Sequence, residues 1–240
     1  EGGPSTVLSS LRTVVGVEST LVMPTFSFWK NNKQSEGFFD SKTSKSTSGK
    51  INNFFWQKTN AIRSNHPLRS IAASGPDSNF LIKDHTKALT EFGPDTPFGK
   101  VIRNDYYIVF LGVGIEKITL YHAFEDMIEN FPFKVYLEEK KTAKYMSERN
   151  KVTELKVQVH DPRLAEYRIE KPKGALLRNI FMERLKKTKS FTASKIGQAS
   201  CFKFHVKDFL TVCSDLLLED VTIYNVPEKL RLKFSNYNNG

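Results

Sequence analysis

The sequence predicts an α/β protein, a single domain with a central mixed sheet flanked by helices. Stretches typical of strands and of helices alternate along the 240 residues, as they do in α/β proteins. The stretch DYYIVFLGVG is aromatic and β-branched, nearly uncharged, and ends at Gly112 and Gly114. It is expected to be a central parallel strand that is buried on both faces. An α+β arrangement is the alternative, because the later strands alternate like half-exposed ones.

Composition indicates a folded protein with a sizeable core. Hydrophobic residues make up 39% and aromatic residues 12% of the chain, which is not the composition of a disordered protein. No apolar run reaches the roughly 20 residues that a membrane span needs. The two cysteines, Cys201 and Cys213, have no metal-site spacing. Two isolated thiols, and a start without the features of a signal peptide, predict a reducing, cytoplasmic environment.

The formal net charge is +10, and a basic balance favours an anionic partner. The lysines and arginines nevertheless stand beside acidic or polar residues and form no single tract, as solvated helix and loop faces do. No nucleic-acid-binding motif of the usual kinds is found. The sequence therefore predicts no nucleic-acid or membrane partner, and the charge favours a small anion such as a cofactor phosphate or a nucleotide-linked substrate.

The elements up to residue 50 are predicted from proline, glycine and apolar spacing. PSTVLSSLRTVVG is expected to be a helix, with Pro4 in its first turn and Gly16 as its stop. STLVMPTFSF is expected to be a short strand that ends near Met23, because Pro24 cannot donate a ladder hydrogen bond. A long polar loop should follow over residues 30–50, and loops of this length are often functional.

The stretch from residue 51 to residue 102 alternates again. INNFFWQKTNAI is predicted to be a helix with its aromatic residues near the core, and SIAASG a strand that ends in a Gly-Pro turn. NFLIKDHTKAL is predicted to be a helix. FGPDTPFGKVI carries two glycines and two prolines within seven residues, which predicts a constrained, turn-rich loop.

Two strands, a helix, another strand and a final helix are predicted beyond Pro132. FKVYLEEKK and TELKVQVHD are expected to be strands, and GALLRNIFMERLKK an amphipathic helix. SCFKFHVKD alternates apolar and polar residues, which predicts a strand with one solvent-exposed face. FLTVCSDLLL is predicted to be the final helix, and residues 232–240 a loose tail.

Directly after the predicted central strand, the stretch KITLYHAFEDMI places Thr119, His122 and Glu125 three residues apart. With Thr119 as the N-cap, His122 lies in the first helical turn and Glu125 on the same face. The helix N-terminus disfavours imidazolium and the carboxylate favours it, so the two effects can leave a neutral imidazole near pH 7. A neutral imidazole can act as a general base, although most such pairs on helices have no catalytic role.

Six segments resemble a known family when they are taken in order along the chain. They are TLVMPTFS, FD, RSNHPLRSIAASGP, FGPDTPFGKVI, VFLGVGIEKITLYHAFE and KIGQASCFKF. Together they resemble the aminoglycoside 3-N-acetyltransferases, which are unrelated to the GNAT fold. The resemblance runs from about residue 2 to about residue 225 and implies one acetyltransferase domain over residues 1–240.

The resemblance implies transfer of an acetyl group from acetyl-CoA to an amine of an amino sugar, with no metal. It implies that His122 is the general base, that Glu125 orients it, and that Thr119 positions the base or helps to hold the oxyanion. Gly93, Thr96 and Gly99 are expected near the cofactor. Asp40 and His66 are expected near the substrate, although a solvated loop carboxylate and a structural histidine are the alternatives. A homodimer is kept open.

Three departures from the family pattern leave the acceptor undecided. A strand and helix that usually precede the Gly-Gly of family members are not found before residue 1, Glu91 stands where many members have proline, and the charge is basic. A basic protein repels a polycationic antibiotic, so a nucleotide-linked or surface-polysaccharide amino sugar competes with an aminoglycoside as the acceptor. A non-catalytic family member that binds a sugar or coenzyme is the alternative function.

Overall fold

The computed structural model describes residues 2–27 and 37–235. The chain divides into two units, the first comprising Glu1–Glu91, Asp95–Pro97 and Glu139–Gln158 and the second Phe92–Pro94, Phe98–Glu138 and Val159–Gly240. Helices and strands alternate through most of the described residues, which confirms the predicted α/β class. The named strands form three small sheets in which all pairings are antiparallel, rather than one central mixed sheet.

The first unit holds a three-stranded sheet, a two-stranded hairpin and three helices among its described residues. Its elements are α1 (Gly3–Val15), β1 (Leu21–Pro24), α2 (Lys50–Lys58), β2 (Ile62–Arg63), β3 (Ile71–Ser74), α3 (Ser78–Ile82), β5 (Lys141–Met146) and β6 (Val152–Val157). Strand β3 lies between β1 and β2, and all four of its residues are buried. Leu8 of α1 packs with Phe55 and Trp56 of α2 against Ala72 of β3.

Helix α1 ends where the sequence predicts. Gly16 follows its last residue with φ of 78°, a backbone conformation that glycine adopts at little cost. The Arg12 guanidinium donates to the carbonyl oxygens of Ser19 at 2.8 Å and Ser74 at 2.9 Å. The last turn of the helix is thereby fixed to the end of β3.

The second unit holds the other three-stranded sheet. Its elements are α4 (Pro97–Ile102, whose first residue belongs to the first unit), β4 (Tyr107–Leu111), α5 (Tyr121–Met127), α6 (Ala175–Lys186), β7 (Thr192–Ile196), β8 (Ala199–His205), α7 (Val206–Leu218) and α8 (Glu228–Ser235). Strand β8 lies between β4 and β7. The rings of Phe110 and Phe202 stack with centroids 4.5 Å apart on one face of this sheet.

The prediction for β4 is wrong in two respects, its parallel pairing and its burial on both faces. The strand exists, but it pairs antiparallel with β8, and Tyr107 and Val109 are 55% and 52% exposed. Only alternate residues on its other face approach the core, so β4 is not a strand buried on both faces. The β-branched and aromatic residues that indicate a strand do not by themselves indicate which of its faces are covered.

Several other boundaries differ from the predictions. Strand β5 begins only at Lys141, so most of FKVYLEEKK lies outside a strand, and the second half of FGPDTPFGKVI forms α4. Strand β7 and helix α8 were not predicted. Helix α8 reaches Ser235, which shortens the expected tail, and residues 236–240 and 28–36, which include part of the expected 30–50 loop, lie outside the described residues.

The described part of the chain contains no helix that is both long and apolar enough to span a membrane.

Candidate active site

The Thr-His-Glu stretch lies at the start of α5, in the second unit. The helix begins at Tyr121 and its N-cap is Leu120, so the predicted capping role of Thr119 is wrong. The carbonyl oxygen of Thr119 instead accepts the backbone N–H of His122 at 3.1 Å. Thr119 is half-buried next to the helix, and none of the hydrogen bonds among the described residues uses its hydroxyl.

His122 and Glu125 form the pair that their spacing predicts. His122 Nδ1 lies 2.9 Å from Glu125 Oε2, and both residues are buried. A carboxylate only accepts, so the hydrogen bond requires the proton on Nδ1. The Nε2 atom then carries the lone pair, which is the form of imidazole that can accept a proton from a substrate.

A second histidine, which the sequence analysis did not single out, shares the same carboxylate. His160 Nε2 lies 3.0 Å from Glu125 Oε2, and the two imidazole centroids are 4.3 Å apart. Both rings direct a nitrogen at one oxygen of Glu125. The carboxylate is therefore held from two sides, by a neighbour on its own helix and by a residue after β6.

Aromatic rings surround this group. The Phe92 centroid lies 4.9 Å from that of His122 and 5.1 Å from that of His160. The Tyr224 hydroxyl lies 3.5 Å from His122 Nδ1. These rings exclude water from the Glu125 side of the imidazole, which strengthens the electrostatic interaction between the two groups.

Burial and charge together keep the imidazole neutral and the carboxylate ionised. Burial lowers the pKa of His122 to about 4, against an opposing effect from Glu125. Burial alone would raise the pKa of Glu125, but the attraction and hydrogen bonds of the two histidines lower it to about 2. The imidazole of His122 is therefore neutral near pH 7, as the sequence predicts, although burial rather than the helix N-terminus accounts for it.

The other ring nitrogen of His122 has no protein partner within the described residues. Nδ1 takes part in the contacts with Glu125 and Tyr224, and the side chain keeps about 10% of its surface exposed. A molecule bound at this small opening would meet the Nε2 lone pair. The geometry is that of a base with one nitrogen fixed by the protein and the other available.

The side chains of His122, Glu125 and His160 also resemble the ligand set of a metal site. One donor atom from each of His122, Glu125 and His160 lies within 4.8 Å of the other two, and two imidazoles with a carboxylate are a known ligand set for divalent metals. These atoms already form hydrogen bonds with each other, from His122 Nδ1 and His160 Nε2 to Glu125 Oε2.

The three residues expected near the cofactor are all buried. Gly99 in α4 lies against Gly93, because a Cβ at Gly99 would overlap the Gly93 carbonyl oxygen and lie 2.7 Å from the Pro94 Cα. Thr96 has none of its surface exposed. Close backbone packing thus accounts for Gly99, and the exposed part of the turn is Pro94 and Asp95. A cofactor contact of this turn stays a prediction.

Asp40 lies in the first unit and is used within its own loop. Its carboxylate accepts the backbone N–H of Lys42 at 2.8 Å and the hydroxyl of Thr43 at 3.1 Å. It also lines a cavity of about 620 Å³, together with Trp56 and Arg63. The turn contacts support the loop-carboxylate alternative, and contact with a substrate stays a prediction.

His66 is fully buried in the first unit. Its Nδ1 accepts the backbone N–H groups of Leu68 at 3.3 Å and Arg69 at 3.0 Å, and its ring stacks on His85 with centroids 4.4 Å apart. These contacts support a structural role over substrate contact. The structure thus joins His122 and Glu125 in the second unit, whereas Asp40 and His66 belong to the first.

The chain resembles known acetyltransferases in sequence and in fold. A sequence model of the aminoglycoside 3-N-acetyltransferases matches residues 1–217. The chain belongs to this family. An aminoglycoside N(3)-acetyltransferase IV of Salmonella is 34% identical over 129 residues, which are 53% of this chain and 47% of that protein. The chain thus spans about half the length of this curated acetyltransferase relative.

Solved structures of aminoglycoside acetyltransferases share the fold. A mutant of AAC(3)-IVa in complex with gentamicin is 25% identical, with a TM-score of 0.73, and is matched over 95% of this chain and 80% of its own. AAC-IIIb, solved as a binary complex with CoASH, is 18% identical, with a TM-score of 0.74 over 94% and 86% of the two chains. The acetyltransferase fold is therefore that of this chain.

His160 and Tyr224 are candidate site residues of this family member that sequence reasoning missed. His160 lies 35 positions after Glu125 in the chain, and Tyr224 lies 102 positions after His122. A histidine directly after an alternating strand, in QVHD, was the available signal for His160. Tyr224 has no local pattern, because only the folded chain brings it to α5.

The burial of His66 predicts that the protein loses stability in acid. Burial lowers the pKa of His66 to about 3 from a usual 6.5, so between these values the unfolded chain binds a proton that the folded chain excludes. The free energy of unfolding should therefore fall as pH drops through this window, by about 1.4 kcal/mol per pH unit for this group. Urea unfolding between pH 7 and pH 5 measures the slope.

The variant His66→Asn tests the source of that slope. An asparagine oxygen can still accept the two backbone N–H groups, but it does not titrate. We expect lower stability at pH 7, because the stacking on His85 is lost, and a shallower fall toward pH 5. His122 contributes to the slope in both proteins. An unchanged slope in the variant would contradict the assignment to His66.

Proposed function

We propose that the chain is an acyltransferase that moves an acetyl group from acetyl-CoA to an amine of an amino sugar. The observation that carries this proposal is the buried pair of His122 and Glu125, with Nδ1 fixed by the carboxylate and Nε2 left for a substrate. Membership of the family supports the reaction type. The relatives solved with gentamicin and with CoASH support the two substrate classes.

In the proposed reaction, His122 Nε2 receives a proton from the acceptor amine. The amine nitrogen forms a bond with the acetyl carbonyl carbon, and the C–S bond breaks. The leaving sulfur takes the proton from His122 Nε2, which gives the free thiol and restores the neutral imidazole. Glu125 stabilises the imidazolium that forms, because its ionised carboxylate lies 2.9 Å away. His160 holds the carboxylate in place through its own hydrogen bond.

Within this proposal, Thr119 positions the base or helps to hold the oxyanion, and residues 1–240 belong to one acetyltransferase domain. An aminoglycoside-type acceptor is the class that the family name supports, and a nucleotide-linked or surface-polysaccharide amino sugar is the finer alternative that the net charge of +10 favours. We also propose that the protein works in the cytoplasm, since both cysteines are free thiols. A homodimer stays a prediction.

Thiol release from acetyl-CoA tests the proposed function. The acceptor panel holds several aminoglycosides and several nucleotide-linked amino sugars, and calorimetry measures coenzyme binding separately. We expect acceptor-dependent release with at least one of the two groups, and the group that responds decides between the acceptors. Coenzyme binding without release for any acceptor would support the non-catalytic alternative, and the absence of both would contradict the proposed reaction.

A further inference from the structure

Arg168 lies opposite Tyr224, the residue whose hydroxyl contacts the proposed base His122. Its backbone forms an antiparallel bridge with Tyr224, and the flanking hydrogen bond from Ile169 N to Ile223 O is 2.7 Å long. Residues directly opposite each other in an antiparallel pair project their side chains to one face, with Cβ atoms about 5 Å apart. The Tyr224 hydroxyl on that face lies 3.5 Å from His122 Nδ1.

The guanidinium of Arg168 is unusual among the described arginines of the second unit, because it forms no hydrogen bond or ion pair with another described residue. Its Nε is buried without a hydrogen bond, and none of the ion pairs between described residues includes it. The other described arginines of this unit each donate to a carboxylate or a carbonyl oxygen: Arg103, Arg163, Arg178, Arg184 and Arg231.

The charge of Arg168 acts at the base. Its proximity contributes to the lowered pKa of His122, after the larger effects of burial, Glu125 and His160. Glu125 is the acid of this cluster, and its bonded oxygen already meets two imidazoles. A positive group thus stands near the proposed base, and no hydrogen bond or ion pair between described residues joins its guanidinium to a carboxylate.

We propose that Arg168 forms an anion subsite beside His122, which binds a carboxylate or phosphate that the acceptor carries near the amine to be acetylated. A guanidinium binds either group through two parallel hydrogen bonds, which fixes the orientation of the ligand as well as its charge. This inference rests on the proposed function for the identity of the acceptor. It names the acceptor class as an amino sugar that is acidic near its amine.

Other groups of the two substrates are less suitable partners for Arg168. The phosphates of the coenzyme are separated from its thioester by the whole pantetheine arm, so they do not lie beside the base. A guanidinium repels a positively charged group of an acceptor that lies against it. An arginine at the thioester oxygen would assist every acceptor equally, which the kinetics below distinguish from an anion subsite.

Calorimetry with amine-free sugars tests the subsite without acetyl transfer. The probes are glucose 6-phosphate and glucuronate, one for each anion, and the proteins are the wild type, Arg168→Gln and the control Lys189→Gln, which removes an exposed charge of the same unit. We expect at least one probe to bind the wild type and the control, and about tenfold weaker binding to Arg168→Gln. Binding to Arg168→Lys should be intermediate, since the positive charge stays but the two parallel hydrogen bonds of the guanidinium are lost.

Equal affinity of the wild type and Arg168→Gln would overturn the subsite, and so would the absence of binding to the wild type for both probes. The responding probe distinguishes phosphate from carboxylate. This result does not depend on whether any amine is acetylated.

Kinetics with matched acceptors complete the test. Glucosamine 6-phosphate and 2-amino-2-deoxyglucuronate are compared with glucosamine by thiol release. Arg168→Gln should lower kcat/KM for the acidic acceptor whose anion binds about tenfold more than it changes kcat/KM for glucosamine. Equal losses for all three acceptors would overturn the subsite in favour of a role at the oxyanion. Failure of all three with the wild type would count against the proposed function for these acceptors, while Arg168-dependent probe binding would still support the subsite.

Discussion

The variant His122→Asn is expected to lower kcat for acetyl transfer by about 10²- to 10⁴-fold. Asparagine can keep a hydrogen bond to Glu125, but it has no basic nitrogen for the acceptor proton. The acetyl group would then be transferred only to amines that are already unprotonated in solution. Thiol release at saturating acetyl-CoA and acceptor measures the change.

The control is His205→Asn, which replaces a histidine of the same unit away from α5. His205 precedes α7 and its Nδ1 accepts the backbone N–H of Lys207, a capping contact that asparagine also makes well. We expect nearly wild-type kcat for this variant. Thermal unfolding of both variants separates lost chemistry from lost fold, and a folded His122→Asn protein that keeps most of its activity would remove His122 from the mechanism.

The local part of the site could be predicted from the sequence because it depends on helical spacing alone. His122 and Glu125 are three residues apart, and residues at that spacing lie on one face of a helix whether it begins at Thr119 or at Tyr121. The predicted N-cap, Thr119, was wrong, but this error does not affect the contact between His122 and Glu125. The neutral state of the base could not be derived correctly, since it results mainly from burial that no local pattern shows.

The remaining groups of the site depend on long-range pairing. His160 reaches α5 through the turns after β6, and Tyr224 reaches it from a segment that is bridged to residue 168. Nothing in the spacing of these residues predicts that bridge. The same limit applies to β4, whose residues predict a strand but not the strand with which it pairs. In the structure β4 pairs with β8, and Tyr107 and Val109 are exposed.

The variant Glu125→Gln is expected to lower kcat by about 10²-fold or more and to shift its pH dependence. The carboxylate opposes the effect of burial on His122, so its removal should lower the pKa of His122 below about 4. The acidic limb of the pH-rate profile should therefore move to lower pH. A neutral amide also stabilises the imidazolium less, which raises the barrier to proton transfer at every pH.

The second measurement for Glu125→Gln is the tautomer of His122, read from the ¹⁵N shifts of its ring. The wild type should show a protonated Nδ1 and a bare Nε2, because a carboxylate at 2.9 Å can only accept. An amide can present either an oxygen or an NH₂ group, so the variant should lose this preference. The control Glu183→Gln removes an exposed carboxylate that pairs with Lys186, and should change neither the rate nor the shifts. An unchanged tautomer and pH profile in Glu125→Gln would show that the carboxylate does not orient the base, and would leave burial alone to set the state of His122.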